Sequence, residues 1–312
     1  MKTFDELQIH RPQLARSYLQ FLEAQPGRPL ALFAPRRVGK TFFLDYDVTP
    51  TAKKAGLIPV YADLWLHRAA PLDAINHALE EALDDIKVPR SNIGKVAKTP
   101  VKKIGGLSVS VELGDEPQRR KLPETPELRF DALITRLAGE ADKPVLLMLD
   151  EVQVLGDLPN GQAAIATLRA VLQKRKREVR GIFTGSSQEA LAAMMVAAGG
   201  PMYQFAQLID FPVLGEEYLE LLAEHFSNVQ RGKHLDLKEL AKVFEHIGFK
   251  PELMKDIVKT MSAEGMADVQ LTLKKFMKDN RQISGWRAVI NGLATNRSRF
   301  TGPYSRREAP YG

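Results

Sequence analysis

The apolar residues of this chain fall into short dense runs separated by longer stretches of helical spacing. Five runs stand out: "RPLALFA" (28–34), "LIPVYADLWL" (57–66), "KPVLLMLDE" (143–151), "VRGIFTG" (179–185) and "QLIDFPVL" (207–214). Each is short and bounded by turn or polar residues, so together they predict five buried strands. Between them the spacing turns helical: from about Lys40 to Lys54, from Pro71 to about Ile86, and through "ETPELRFDALITRLAGEA" (124–141), with Thr125 as its cap and a proline in the first turn. "GQAAIATLRAVLQKRK" (161–176) and "SSQEALAAMMVAA" (186–198) continue the series, and the opening "MKTFDELQIHRPQLARSYLQFLEA" (1–24) reads as one amphipathic helix. Strands alternating with helices predict an α/β fold, a five-stranded parallel sheet flanked by helices and joined by right-handed crossovers.

The pattern also divides the chain. Residues 1–213 form the expected α/β core, and after Gly215 the periodicity is helical to about residue 295, which predicts a C-terminal all-helical subdomain (214–295). Residues 296–312 lack apolar periodicity and read as a basic tail. A second interruption, residues 87–126, is basic and rich in proline and glycine. Within it "LSVSVEL" (107–113) alternates strictly, the mark of a hairpin strand in an insertion at the sheet edge.

Composition narrows the class. A chain of 312 residues with 44% hydrophobic and 26% charged residues has the make-up of a globular protein of about two domains. The absence of cysteine excludes disulfides and thiolate metal sites, and fits a reducing cytoplasm. No apolar run approaches the ~18 residues of a membrane span, and the first residues lack the basic start and apolar run of a signal peptide. The net charge of +6 is uneven: basic residues gather at 95–103, 119–121, 174–180 and in the last segment, where Trp286 lies among arginines. Such runs are commonly solvated faces, and their sum keeps double-stranded DNA among the candidate partners.

The chemistry begins where the first strand ends, at "APRRVGKT" (34–41). A phosphate-binding loop needs a glycine before the lysine, a lysine for the β and γ phosphates, and a hydroxyl for Mg²⁺. Gly39, Lys40 and Thr41 supply all three, and Ala34, Pro35, Arg36, Arg37, Val38 and Phe42 complete the cradle expected around the nucleotide. Ala34 replaces the usual first glycine and is tolerable if its backbone avoids positive φ. Downstream, "PVLLMLDE" ends a buried strand on Asp150 and Glu151, where open α/β sheets bind ligands. Asp150 would hold Mg²⁺ through water, and Glu151 would orient and polarise the attacking water. "GIFTGSS" adds three hydroxyls: Thr184 and Ser186 are the candidates to contact the γ-phosphate or the attacking water, and Ser187, which precedes "QEALAAMM", can cap the next helix.

In this order, "APRRVGKT", "LLMLDE" and "IFTGSS" followed by a helical region resemble the archaeal-type P-loop ATPases of the AAA+/STAND class, near the origin-recognition ATPases. The resemblance spans about residues 5–262 and includes an insertion such as "GLSVSVELGDE" before the acidic strand. It implies a five-stranded sheet with the P-loop strand central, a helical lid, ATP with Mg²⁺ as ligands, and self-association. It also implies that Arg11, in "IHRPQLARSYLQFL", lies near the adenine. Two features depart from the family's pattern. "PMYQF" (201–205) carries Gln204 and Phe205 where an arginine is common, which leaves Arg36, Arg37, Arg169 and Arg180 as substitutes. The lid segment "HIGFKPELMKDIV" lacks an arginine at its head, so Lys250 or Lys255 would have to sense phosphate.

These readings converge on an ATP- and ADP-binding, Mg²⁺-dependent ATPase that is slow without a partner and controls assembly, with DNA as the expected support. The competing class is a signalling or defence switch that acts through a separate protein partner and hydrolyses little. A fold that binds ATP but scarcely turns it over stays open, because the arginine is missing. A small-molecule kinase fits less well, since no substrate-phosphate arginine pattern stands out.

Overall fold

The computed structural model describes residues 3–87, 121–159, 161–195, 202–269 and 271–273. The hairpin strand expected at 107–113, most of the basic insertion, the lid helices beyond residue 273, Trp286 and the tail lie outside the described residues. The chain divides into two compact units: one runs over His10–Pro35 and Lys40–Phe211, the other over Met1–Ile9, Arg36–Gly39 and Pro212–Gly312.

The first unit is the expected parallel sheet. Its strands are β1 (Leu30–Phe33), β2 (Ile58–Asp63), β3 (Val145–Asp150), β4 (Val179–Gly185) and β5 (Gln207–Asp210), in the order β2-β3-β4-β1-β5. The P-loop strand β1 is interior, between β4 and β5, while the middle place belongs to β4. Every pairing is parallel, and the register aligns Asp63 with Asp150 and Phe33 with both Gly185 and Asp210. The carboxyl ends of the strands therefore finish along one rim. β3 is buried at all six positions, as a parallel strand covered on both faces must be.

Helices supply that cover. Val145, Leu147 and Leu149 join Leu79 and Leu83 of α4 (Pro71–Lys87), Phe130 and Leu137 of α5 (Pro126–Ala141) and Leu168 and Leu172 of α6 (Gly161–Lys174) in one apolar core. The alternate residues Leu146 and Met148 point to the opposite face and are equally buried. The segment after the P-loop is helical over residues 40–54, but not uniformly: α2 (Lys40–Phe43) passes through a π-turn at Leu44–Val48 into α3 (Thr49–Lys54). Pro50 has no N–H for the carbonyl one turn back, and its ring needs the extra room. α7 (Gln188–Met195) follows β4.

The opening segment differs from the single helix expected. A 3₁₀ turn at Phe4–Glu6 is followed by extended backbone, and α1 begins only at Pro12 and runs to Ala24. Pro12 accounts for the break, because it disfavours the α conformation at Arg11, whose ψ is 56°. Residues 3–9 belong to the helical unit instead. Phe4 and Leu7 enter its core with Tyr218, Leu222 and Phe226 of α8 (Glu216–Val229). α9 (Leu237–His246) and α10 (Pro251–Glu264) complete that core through Phe244, Met254 and Ile257. Phe4 stacks edge-on against His225 at 4.4 Å, and Asp5 meets Lys259 at 3.2 Å. Asp236 caps α9, accepting from the N–H groups of Lys238 and Glu239.

One ion-pair cluster ties α5 to α6. Asp131 accepts from Lys174 Nζ at 2.8 Å and from Arg175 Nε and Nη2 at 2.9 and 3.2 Å. The Arg175 fork holds the Asp131 carboxyl below its ordinary range, and Lys174 adds to the effect. A depressed folded-state pKa contributes stability that is present above the ordinary Asp value of about 3.9 and is lost as pH falls through the folded value. Replacement of Asp131 by Asn should therefore cost about 1 kcal/mol at pH 7, a Tm drop of roughly 2–4 °C, and little at an acid pH below the depressed folded-state value. Thermal melts of both proteins at the two pH values check this; an equal drop at both would rule out the charge pairing as its cause.

Candidate functional site

The loop that leaves β1 does what its sequence requires. Gly39 adopts φ +91°, a conformation that residues with a Cβ rarely take, so this glycine is needed for its backbone. Ala34 does not: it is absent from the positive-φ positions and is buried, its methyl group accommodated without strain. Arg37 adopts φ +67°, and both it and Arg36 project from an exposed stretch of the loop. Val38 is buried. Lys40 is buried too, and its ammonium donates to the carbonyl oxygens of Ala34 at 2.6 Å and Pro35 at 3.0 Å. The lysine thus lies folded across the mouth of its own loop.

Thr41 Oγ1 donates to Asp150 Oδ2 at 2.9 Å, joining positions 109 residues apart in the chain. The Asp150 carboxylate, buried at the end of β3, takes three further donors: Tyr61 OH to Oδ2 at 3.1 Å, Thr184 Oγ1 to Oδ1, and the backbone N–H of Glu151 to Oδ1 at 3.0 Å. A buried carboxylate is tolerated only when its lone pairs are so satisfied. Tyr61, which the sequence reading missed, sits on the adjacent strand, and burial together with the Asp150 charge pushes its phenol well above the usual range. Asp45, one turn along the helix from Thr41, has its carboxyl raised by burial first and by the Asp150 charge second. Negative charge is thus concentrated beside the Thr41 hydroxyl, an environment that fits a divalent cation with oxygen ligands.

Glu151 follows in a strained conformation, φ 56° and ψ 42°, at the start of a 3₁₀ turn over Val152–Asp157. A non-glycine residue in this region costs on the order of 1–3 kcal/mol and persists where the surroundings hold it. Here Ser186 Oγ donates to Glu151 Oε2 at 2.7 Å, and Gln153 Nε2 donates to the same oxygen. The three hydroxyls at the end of β4 and just beyond it therefore divide their work. Thr184 serves Asp150, Ser186 serves Glu151, and Ser187 Oγ accepts from the N–H of Ala190 as a helix cap at 3.3 Å.

Arg11 lies with its guanidinium 4.3 Å from the Phe211 ring and 5.2 Å from that of Phe43, in the helix that Lys40 begins, and burial lowers its pKa. Phe42 stacks on Tyr46 at 4.7 Å and tilts against His10 at 5.4 Å. His10 in turn bonds the buried Asp47 at 3.0 Å. Of the substitute arginines, Arg180 bonds the carbonyls of Lys176 and Val179 at the start of β4, the end of the strand away from Thr184, so it is not placed for the phosphates. Arg169 packs over Phe205 at 5.6 Å, and Gln204 is exposed with φ 57°. Of the two lysines, Lys255 is buried and bonded to Glu252 at 3.0 Å. Lys250 stands at the N-cap of α10, where burial, and then the charge of Arg37, lower its pKa.

No family model matches this sequence, and no curated protein matches it. Solved structures do. The Walker-type ATPase PABY2304 of Pyrococcus abyssi superposes with a TM-score of 0.56 at 15% identity, covering 95% of this chain and 81% of that one. The ORC2 protein of Aeropyrum pernix, solved as ADPNP–ADP complexes, superposes with a TM-score of 0.51 at 18% identity, over 91% and 73%. With the 2-3-4-1-5 sheet and its helical C-terminal region, the chain has the AAA+ P-loop fold.

Proposed function

We propose that this protein binds ATP in the loop at residues 34–41 and hydrolyses it slowly, its nucleotide state controlling assembly with other molecules. The observation that carries the proposal is the hydrogen bond from Thr41 to Asp150, because it joins the loop hydroxyl to the acidic strand, the two groups that a P-loop nucleotide hydrolase uses to hold Mg²⁺. Lys40 would exchange the Ala34 and Pro35 carbonyls for the β and γ phosphate oxygens, trading two neutral acceptors for charged ones. Backbone N–H groups of the loop and the helix start at Lys40 would face the same phosphates. Mg²⁺, held by Thr41 and through water by Asp150, would draw charge from the β and γ oxygens.

Glu151 would take the proton from the attacking water as its oxygen bonds to the γ-phosphorus and the bond to ADP breaks. Ser186 would hold the carboxylate in place. An arginine that stabilises transition-state charge can be worth ~10³–10⁵ in rate, so its absence from residues 201–205 accords with slow turnover by the chain alone.

For the partner, the net charge of +6 and the basic clusters support DNA. One observation favours the second reading, a switch with a protein partner. In the basic run at 174–180, Lys174 and Arg175 are spent on Asp131 and Arg180 on backbone carbonyls. Three of the five cations of that run thus brace the fold, which leaves the exposed Lys176 and Arg177 and the other clusters to form a DNA surface.

Three outcomes are expected. Lys40→Ala should weaken ATP binding by about 10- to 100-fold, the worth of charge-assisted hydrogen bonds, as read by titration with a fluorescent ATP analogue. Glu151→Gln should bind ATP as the parent does and lose turnover by roughly 10²- to 10⁴-fold; parent-like hydrolysis would remove Glu151 from its assigned role. Turnover should rise with double-stranded DNA at low salt and the rise should fade at high salt. Turnover indifferent to DNA at both salt concentrations would leave the protein-partnered switch.

A further inference from the structure

Gln153 has no place in the mechanism above, and its surroundings are unusual for a merely structural residue. It is buried, 6% exposed, on the 3₁₀ turn that Glu151 begins. Its Nε2 donates to Glu151 Oε2 and lies 3.4 Å from Ser186 Oγ. Its Oε1, by contrast, is buried with no hydrogen-bond partner among the described residues. Leaving a buried carbonyl unpaired costs about 1–3 kcal/mol, a cost that an apolar side chain of the same volume would not incur. Exchanging the two ends of the amide would not help, because Oε1 would then face the carboxylate.

Two features lock the amide in this orientation. The left-handed backbone at Glu151 turns the chain sharply, so that residues 151 and 153 lay their side chains together. Gly185, at the end of β4, provides the other wall: a Cβ there would lie 2.6 Å from Gln153 Oε1 and 2.7 Å from Leu191 Cδ1. The glycine is needed here for close approach, and its φ is not positive. The consequence is asymmetric. Oε2 of Glu151 is gripped by donors from two different elements, whereas no hydrogen bond reaches Oε1 among the described residues.

We propose that Gln153 is a positioning residue for Glu151: with Ser186 it fixes Oε2 and so reserves Oε1 for the attacking water. The proposal rests on the P-loop reading above and adds the element that sets the geometry of the base. Glutamate has three rotatable side-chain bonds, and one hydrogen bond from Ser186 leaves rotation about that contact open. A second donor to the same oxygen closes it. Displacements of about 1 Å at a reacting group can cost roughly 10²-fold in rate, so the second donor is kinetically significant even though its own partner balance is unfavourable.

The test is Gln153→Met, which keeps the volume and removes both ends of the amide. Three quantities are measured on the purified full chain: ATP affinity, kcat with Mg²⁺, and Tm. Positioning predicts unchanged ATP affinity, kcat lower by about 10- to 100-fold, and a Tm equal to or above the parent's because the unpaired carbonyl is gone. A packing role alone would lower Tm and leave kcat per folded molecule unchanged, which would overturn the proposal. In a Glu151→Gln background the Met substitution should have no further effect on turnover, since both changes disable one unit; additive losses would also overturn it. If the Met variant does not fold, Gln153→Asn serves, because its amide is one methylene too short to reach Oε2, and a parent-like kcat there would be equally fatal. Failure of the parent chain to bind or hydrolyse ATP is a different result: it removes the P-loop reading and this proposal with it.

Discussion

The structure depends on where the charge of Asp150 goes. A carboxylate at the end of a fully buried strand is costly unless each lone pair finds a donor, and here four donors converge on it. They come from the P-loop helix, from β2, from β4 and from the next peptide. Each of those elements is thereby held in register with the others along one rim of the sheet. Placing the acidic strand between β2 and β4 makes this convergence available; the order β2-β3-β4-β1-β5 brings the P-loop strand one place further along.

Glu151 answers a different need. It is held by strain and by two donors on one oxygen, in an environment less enclosed than that of its neighbour. Adjacent carboxylates with contrasting surroundings would suit the two roles proposed for them, an anchor facing the metal and a base for the attacking water. The contrast arises because the left-handed turn at residue 151 ends the strand abruptly and sends the two side chains to different partners. The short spacing from Thr184 to Ser186 then serves both carboxylates from a single strand end.

Away from the rim, charge mostly braces the fold. Arg175 and Lys174 meet Asp131, Arg180 closes on backbone carbonyls, and Lys259 meets Asp5. The last of these, with Phe4 and Leu7, shows the opening residues contributing to the core of the helical unit. A segment of seven residues cannot bury its apolar side chains alone, so it gains stability only by joining the helical unit's core.

The sequence by itself determined much of this protein. Five apolar runs became five strands, and β3 read as a continuous apolar run because both of its faces are covered. Gly39, Lys40, Thr41, Asp150 and Glu151 were legible as candidates because their signals are local: a turn, a helix start and a strand end each carry their own signature. What the sequence left open depends on contacts between distant segments. It showed one helix over residues 1–24, because amphipathic spacing cannot reveal that Phe4 and Leu7 face a different core from Tyr18 and Leu22. It offered Thr184 and Ser186 for the phosphate or the attacking water and Ser187 for the helix cap, and only the contacts with Asp150, Glu151 and Ala190 revealed that the first two serve the carboxylates. Tyr61 and Gln153 were invisible, one reading as a strand residue and the other as part of a turn. Their roles come from pairing β2 with β3 and from packing against Gly185, and a hydrogen bond between segments leaves no periodic trace along the chain.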